Sequence, residues 1–282
     1  MPFANRTFAG LALLAGMLLL PPPARAAESY DNCTGFIDSL PATIATQGVW
    51  CLRDHLATAI TTGAAITIAT NNVTIDCNDF KLGGLAAGDA STAIGIFASG
   101  RQNATVRHCQ LRGFFQGIAL TGNGHVVEDS RLDNNLFMGI NIEGEHNLVQ
   151  RNRVLDTGGA VASNFSIGIS VEGDVFDNTV AGVFANGTDI YSRGVQTYGE
   201  GGVVRGNIVR GLVASGVGNA VGIRAYSSST AIVDNRVSAG AAISGVGVYG
   251  AAAAQTFCSG NTVANFATAF SQCLDAGGNA SY

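Results

Sequence analysis

A short unit recurs through most of this chain and constrains its fold more than any other feature of the sequence. The unit is Gly, then Ile or Val, then any residue, then usually an apolar residue, and successive copies begin 22 to 29 residues apart. A period of this length predicts a solenoid of short strands, in which each turn buries its apolar face only by stacking on its neighbours. The copies begin at Gly95, Gly117, Gly139, Gly168, Gly194, Gly222 and Gly245.

A second marker supports the same register. Once per unit a polar residue is followed by any residue and then by Val or Leu, and from Asn152 onward the polar residue is always Asn. Asn tolerates left-handed backbone geometry, and stacked Asn side chains can hydrogen-bond to one another. We therefore predict an Asn ladder in that geometry at one corner of the solenoid. The column consists of Asn78, Cys109, Ser130, Asn152, Asn178, Asn207, Asn235 and Asn261.

Three short strands per turn of about 22 residues, with an Asn ladder at one corner, resemble the right-handed parallel β-helix. The resemblance covers about Ile66 to Phe270, and the class includes pectate lyases, polygalacturonases, alginate epimerases and phage tailspikes. It implies an all-β fold, a single right-handed parallel β-helix of about eight to nine coils with an N-terminal cap. It also implies a carbohydrate ligand. The Asn-Thr-Asp, Gly-His-Gly and Arg-Ile-Lys motifs of polygalacturonases and the Asp-Pro-His-Asp motif of alginate epimerases are absent, so the resemblance identifies no catalytic residue.

The first 26 residues have the organisation of a cleavable signal peptide. Arg6 supplies the positive charge, Phe8 to Leu20 form the apolar stretch, and Ala24-Arg25-Ala26 is a small-residue cleavage site. The alternative is a retained membrane anchor, but the apolar run is short and ends at three prolines. We expect export to the periplasm or the extracellular space, without membrane insertion of the mature chain.

The rest of the chain divides into two predicted parts. Residues 27–65 fit no repeat, and we expect them to cap the unpaired backbone at the N-terminal end of the solenoid. Within them, Leu52 to Ile60 could form a helix. Residues 66–282 are assigned to the β-helix, with a C-terminal end held by a disulfide.

Cysteine content and charge limit the environment and the partners. Six cysteines in an exported chain predict disulfides, and we favour the pairs Cys33–Cys51, Cys77–Cys109 and Cys258–Cys273. The chain has 15 Lys and Arg against 20 Asp and Glu, for a net charge of −5. This balance argues against nucleic acid or anionic lipid as a partner. It also disfavours a polyuronate substrate unless Ca²⁺ bridges the acidic protein and the acidic polysaccharide. The oligomeric state is left open.

Strand alternation predicts which side chains of the repeat face outward. The second and fourth residues of each unit point into the core, so the third and fifth point out. The fifth position places two carboxylates, Glu143 and Glu172, beside three tyrosines, Tyr198, Tyr226 and Tyr249. The third position contributes Asn141, Gln196 and Arg224.

These columns predict a ligand-binding face. Coils about 4.8 Å apart bring Glu143 and Glu172 within the carboxylate separation of a retaining glycosidase, and the same pair could hold a cation such as Ca²⁺. Exposed tyrosine rings suit stacking against sugars. Three longer connections, residues 156–166, 185–193 and 212–220, precede the strands of Glu172, Tyr198 and Tyr226 and are expected to wall the face. They contribute Asp189 and Arg193 as further ligand-binding candidates.

Three functions remain open at this point. In a polysaccharide lyase or glycoside hydrolase, Glu143 and Glu172 would act as acid and base or as Ca²⁺ ligands, and Arg224 as base or charge clamp. A glycan-binding protein would use Tyr198, Tyr226 and Tyr249 as a stacking platform. A structural or adhesive solenoid would bind no glycan. The histidines in successive units lie at different offsets from the turn marker, so we predict no metal site from them.

Overall fold

The computed structural model describes residues 30–161, 163–251 and 256–282, and the predicted signal peptide lies outside them. In this part of the chain, regular structure is β-strand apart from one short 3₁₀-helix, Leu85–Ala87. None of its helices is long and apolar enough to cross a membrane.

The strands follow one another in this order. They are β1 (Gly35–Phe36), β2 (Ala42–Ile44), β3 (Gly48–Cys51), β4 (Leu56–Ala57), β5 (Ala64–Ile68), β6 (Val73–Asp76), β7 (Lys81–Gly83), β8 (Ile94–Gln102), β9 (Thr105–Arg107), β10 (Gln110–Arg112), β11 (Gln116–Asn123), β12 (Val126–Glu128), β13 (Arg131–Asp133) and β14 (Met138–Gln150). They continue as β15 (Arg153–Thr157), β16 (Phe165–Phe176), β17 (Thr179–Val183), β18 (Tyr191–Tyr198), β19 (Val203–Arg205), β20 (Ile208–Leu212), β21 (Ala220–Ala225), β22 (Ala231–Val233), β23 (Arg236–Tyr249), β24 (Phe257–Ser259), β25 (Thr262–Ser271), β26 (Leu274–Asp275) and β27 (Ala280–Ser281).

Strands of successive turns stack in parallel into three sheets. The first sheet contains β2, β5, β8, β11, the first parts of β14 and β16, β18, β21, and the last parts of β23 and β25. The second contains β1, β3, β6, β9, β12, the last parts of β14 and β16, β19, β22, β24 and β26. The third contains β4, β7, β10, β13, β15, β17, β20, the first parts of β23 and β25, and β27. The predicted all-β solenoid, of about nine turns, is confirmed.

The glycine of the repeat unit is required by close packing between turns. A Cβ atom on Gly168 would lie 2.4 Å from Cγ1 of Val180 and 2.7 Å from the carbonyl oxygen of Gly194, the equivalent glycine of the next turn. The residues that follow these glycines point inward, and Ile169 and Val195 are fully buried. The unit therefore marks the place where the first sheet packs against the third across the core.

The predicted Asn ladder is present and buried. Oδ1 of Asn178 accepts a hydrogen bond from the backbone N–H of Asn152 at 2.8 Å. Its Nδ2 lies within 3.0 Å of the carbonyl oxygens of Val149 and Phe176 and of Oδ1 of Asn207. Each side chain thus satisfies backbone groups that the corner would otherwise leave unpaired in the interior. The same pattern continues through Asn207, Asn235 and Asn261 to Asn279.

Except at Asn78, whose own φ is 47°, the left-handed geometry lies one residue earlier than predicted. Positive φ angles occur at Asp129, Arg151, Asp177 and Asp234, which directly precede ladder residues. The chain reverses at these residues, and the following side chain then points into the core. Glycine takes the same position at Gly206, where φ is 70°.

All three predicted disulfides are formed: Cys33–Cys51, Cys77–Cys109 and Cys258–Cys273. Cys77 and Cys109 are buried and join successive turns, with their Cα atoms 4.7 Å apart. The other two pairs lie near the two ends of the stack. The described residues contain no free cysteine.

The stack begins earlier than the repeat unit indicates. Strands β2, β3 and β4 pair in parallel with β5, β6 and β7, so residues 42–57 form a turn of the solenoid. The expectation that residues 27–65 fit no coil is therefore wrong, and so is a helix at Leu52–Ile60, where β4 lies. Buried Ile44 and Leu52 supply the inward positions without the Gly-Ile unit. A capping role for the residues before β2 stays a prediction.

A buried histidine occupies the corner between the first and second sheets. His125 is fully buried, and its Nδ1 accepts the backbone N–H of Ala104 at 3.2 Å. Its own backbone N–H donates to Oδ1 of Asn147, the equivalent residue of the next turn, at 2.8 Å. His125 thus accepts a hydrogen bond from the backbone N–H of the previous turn, as Asn147 does one turn later. Burial lowers the pKa of His125.

Replacing Asn207 by Ala is expected to destabilise the fold. The change removes the acceptor of the Asn178 backbone N–H and the donor to the carbonyl oxygen of Val175. Since each buried polar group left unpaired costs about 1–3 kcal/mol, the free energy of unfolding should fall by about 2–4 kcal/mol in denaturant titrations. Asn186→Ala, at an exposed Asn, is the control. An equal loss in both variants would contradict a special role of the ladder.

Acidification is expected to weaken the fold through His125. Its pKa is lower when folded than when unfolded, so the unfolded state takes up the proton first. Stability is then full above the unfolded pKa of about 6.5 and declines as pH falls toward the folded pKa. His125→Asn should flatten the pH dependence of unfolding between about pH 7 and 5. His146→Asn, at an exposed histidine, should not; an unchanged slope in His125→Asn would refute the assignment.

Candidate functional site

The outer face of the first sheet carries two columns of side chains, as the alternation predicts. In one column Asn141 is in register with Ser170, Ser170 with Gln196, and Gln196 with Arg224. In the other, Glu172 is in register with Tyr198. The columns bring most of the predicted site residues onto one face over four turns.

Tyr249 departs from the predicted arrangement. It is in register with Arg224 and therefore lies in the neighbouring column, not with the other two tyrosines. The reason is that Gly247, and not Gly245, occupies the packed glycine position: a Cβ on Gly222 would lie 2.4 Å from the Gly247 carbonyl oxygen. The seventh repeat unit is thus displaced by two residues, and the prediction of three tyrosines in one column is wrong.

An open groove of about 940 Å³ lies on this face. Its walls are the turns that follow the first-sheet strands, at residues 144–146 and 199–202. The longer connections at 156–166, 185–193 and 212–220, which were expected to wall the face, contribute no lining residue among those described. Five predicted site residues line the groove: Asn141, Glu143, Glu172, Gln196 and Tyr198.

One end of the groove is acidic. Glu172 is held by its Oε2 atom, which accepts the backbone N–H of Gly144 at 2.8 Å. Glu143 accepts a longer hydrogen bond, of 3.3 Å, from the amide of Asn141. Gly144 has a φ of 108°, and the turn that it forms directs its N–H toward the carboxylate of the next turn. The predicted pair of carboxylates is therefore present on one surface, with Glu172 fixed by backbone and Glu143 exposed.

The floor of the groove is polar and tightly bonded. Gln196 is only 3% exposed; its Nε2 donates to Oγ of Ser170 at 3.0 Å, and its Oε1 accepts from Arg193 at 2.9 Å. Arg193 also donates to the hydroxyl of Tyr226. Burial lowers the pKa of Arg193, and the nearby Arg224 acts in the same direction. These bonds fix the side chains under the groove before any ligand arrives.

The aromatic residues form a stack instead of a row of free ring faces. The rings of Tyr198 and Tyr226 are parallel, with centroids 4.7 Å apart. The Arg224 guanidinium carbon lies 4.4 Å from the Tyr226 ring centroid and 4.5 Å from that of Tyr249. Arg224 is thus placed between two rings, outside the groove lining, where cation–π contact stabilises it. Only Tyr198, 36% exposed, presents its ring to the groove.

The remaining two candidates lie away from the groove lining. Asp189 accepts the backbone N–H of Val217 at 3.0 Å and so joins two of the longer connections to each other. Arg193 belongs to β18 and lies over the ring of Phe165, 4.9 Å from its centroid. Asp189 therefore has a hydrogen-bond partner outside the groove, and Arg193 holds Gln196 of the groove floor in place.

Sequence reasoning missed three ionisable residues that line the groove, Glu145, His146 and Glu200. Glu145 and His146 lie within β14, where its first part passes into its last, and Glu200 lies in the turn after β18; the period of the repeat describes neither place. Their signal was a charged residue beside a glycine directly after a first-sheet strand, in Gly144-Glu145-His146 and in Gly199-Glu200. Tyr198 borders them. Burial raises the pKa of Tyr198, and the neighbouring Tyr226 raises it further.

Metal-binding geometry is not evident in the part of the chain that the structure describes. There, no three His, Cys, Asp or Glu side chains are grouped closely enough to share an ion. Ca²⁺ at the Glu143–Glu172 pair therefore stays a prediction, with two carboxylates as its protein ligands.

Comparison with solved structures finds β-helical proteins of low sequence identity. The Dettilon tailspike protein has a TM-score of 0.46 and 13% identity over 83% of this chain, and the chain spans about half, 54%, of the tailspike's length. The A-module of the mannuronan C-5 epimerase AlgE4 of Azotobacter vinelandii has a TM-score of 0.46 and 14% identity, covering 87% of this chain and 81% of the module. No curated protein matches the sequence.

The family comparison is more specific and also supplies the handedness of the coil. The sequence model described as "Right handed beta helix region" matches residues 58–198, from β5 and the turn before it to the end of β18. This span holds the Glu143–Glu172 pair and Tyr198, and it amounts to half of the chain. The chain therefore belongs to the right-handed β-helix family.

Proposed function

We propose that this protein binds a polysaccharide in the first-sheet groove. The observation that carries the proposal is Tyr198, whose exposed ring borders an open groove with a polar, pre-bonded floor. A ring face beside convergent polar groups suits a sugar, which offers an apolar ring face and hydroxyls at its edge. Tyr198 would stack on one sugar unit, while Asn141 and Gln196 would hydrogen-bond its hydroxyls.

The charge of the groove favours an uncharged glycan. Four carboxylates line it, those of Glu143, Glu145, Glu172 and Glu200, together with His146. No Lys or Arg lines it among the described residues. A polyuronate would be repelled by these carboxylates, whereas hydroxyl groups can donate to them.

A second candidate function is cleavage of that glycan by the carboxylate pair. Glu143 and Glu172 directly follow the paired residues Ile142 and Val171 and both line the groove. Adjacent turns of a parallel sheet lie about 4.8 Å apart. Retaining glycosidases place their two carboxyl groups about 5 Å apart, one as acid and base and the other as nucleophile. The Gly144 N–H orients Glu172, the candidate nucleophile, and leaves exposed Glu143 to protonate the leaving oxygen.

We also propose that the protein acts outside the cytoplasm. All six cysteines form disulfides, and such bonds persist in the periplasm or outside the cell. The predicted signal peptide would take the chain there. An extracellular or cell-envelope polysaccharide is then the available ligand.

Loss of the exposed ring is expected to weaken glycan binding. Affinity electrophoresis through a panel of neutral polysaccharides should retard the protein, and Tyr198→Ala should raise Kd roughly 3- to 10-fold, the value of one aromatic contact. Tyr282→Ala removes an exposed tyrosine elsewhere and serves as control. If no polysaccharide retards the parent protein, the chain is a structural solenoid and the proposal fails.

The cleavage hypothesis predicts new reducing ends from a bound neutral polysaccharide. Glu143→Gln or Glu172→Gln should then lower the rate by about 10²- to 10⁴-fold with unchanged unfolding. Asp189→Asn, outside the groove, should keep the rate. Binding without product leaves a glycan-binding protein, and activity that survives both Glu changes refutes the pair. Assays with EDTA and with added Ca²⁺ test the calcium prediction.

A further inference from the structure

The outer face of the third sheet carries a line of cations that the groove does not use. Every turn from β7 to the start of β23, except that of β17, places one Lys or Arg at an outward position there. Five of the six are exposed, and Arg112 is half-buried. The cations are Lys81, Arg112, Arg131, Arg153, Arg210 and Arg236.

Strand register aligns these residues along the solenoid axis. Arg131 is directly in register with Arg153, and Ile208, beside Arg210, is in register with Arg236. Neighbouring turns lie about 4.8 Å apart, so the line is roughly 30 Å long and only two outward positions wide. Like charges facing each other in adjacent strands are destabilising unless an anion lies between them.

Two arginines in or beside the second sheet are neutralised, whereas most of these cations are not. Arg107 pairs with Asp76 at 2.7 Å, and Arg151 pairs with both Glu128 and Asp129. On the third sheet a single carboxylate, Asp133, is shared by two arginines, Arg112 and Arg131. Among the described residues, no ion pair within 4.0 Å involves Lys81, Arg153, Arg210 or Arg236.

Acidic residues at the corners do not complete such pairs. Asp177 and Asp234 lie at the corner that leads into this face, and Asp156 lies at the corner that ends it. All three are exposed, and none is within 4.0 Å of an Arg or Lys nitrogen. The outward positions of this sheet therefore carry six cations against one carboxylate, Asp133, although the chain as a whole is acidic.

We propose that the third-sheet face binds a linear acidic polysaccharide along the solenoid axis, at a site separate from the groove. A chain with a carboxylate or sulfate on successive sugars would meet a cation at almost every turn. Guanidinium groups bind such anions in bidentate geometry. The proposal does not depend on the groove, which favours an uncharged ligand.

Two other polyanions fit this face less well. A membrane-bound surface needs apolar side chains that enter the bilayer, and Ile208 and Leu155 are the largest apolar residues at the outward positions between β7 and β23. Single-stranded nucleic acid is held by aromatic stacking, and those positions carry no aromatic residue. A narrow line of cations without rings suits a charged, hydroxylated chain.

The test compares two triple variants that remove the same charge. Arg153→Gln, Arg210→Gln and Arg236→Gln alter the face, whereas Arg53→Gln, Arg101→Gln and Arg205→Gln alter arginines elsewhere. Binding to polygalacturonate and to chondroitin sulfate is measured at several salt concentrations, with dextran as the neutral probe. We expect the parent protein to bind both polyanions in a salt-dependent manner, and the face variant to bind at least tenfold more weakly with a shallower salt dependence. The triple variant with substitutions outside this face should bind like the parent.

Several results would overturn the proposal. They are equal weakening in both triple variants, unchanged binding in the face variant, or binding only to phosphatidylglycerol vesicles or single-stranded DNA. Tyr198→Ala should leave polygalacturonate binding intact, because that residue belongs to the groove. Loss of dextran binding in Tyr198→Ala together with intact polyanion binding would separate the two sites, and polyanion binding lost in Tyr198→Ala would refute their separation.

Discussion

The hydrogen bonds of the buried Asn ladder hold the rest of the structure in register. A solenoid corner turns the backbone into the interior, where its N–H and carbonyl groups must find partners. Each ladder Asn bonds the turn before it and the turn after it, as Asn178 does with Asn152 and Asn207. Because a ladder Asn directly precedes each third-sheet strand from β15 onward, the ladder also fixes which side chains of these strands share a column. Both the groove and the cation line depend on this alignment.

Sequence reasoning reached the fold because the repeat reports backbone geometry directly. No other residue fits where a glycine such as Gly168 faces the carbonyl oxygen of the next turn. The spacing of these glycines can therefore be read from the sequence alone. The same logic failed at the seventh unit, where Gly245 and Gly247 both fit the pattern. Only the contact with Gly222 decides between them. The first turn of the stack was missed because Ile44 and Leu52 fill inward positions without the marker glycine.

The sequence predicted which side chains of the candidate site face outward in columns, but not which side chains contact one another. Alternation placed Glu172 and Tyr198 outward, and the structure sets them in register. It could not show that Arg224 lies between the rings of Tyr226 and Tyr249, since that depends on side-chain rotamers across two turns. Most of the expected stacking platform therefore stabilises the protein itself, and one ring remains for a ligand. Total charge was equally uninformative, because carboxylates gather in the groove while most outward positions with charge on the third sheet carry Lys or Arg.

The separation of charge follows from the way a solenoid assigns residues to faces. A residue's sheet depends on its offset within the turn, so one offset can collect carboxylates while another collects guanidinium groups. Glu143 and Glu172 directly follow the paired residues Ile142 and Val171 on the first sheet, and Arg131 and Arg153 are in register on the third. Among the described residues, none of the three longer connections lines the groove, whose walls are short segments rich in glycine. The hydrogen bonds of Gln196 hold the groove floor in place, so binding there requires little ordering of the chain.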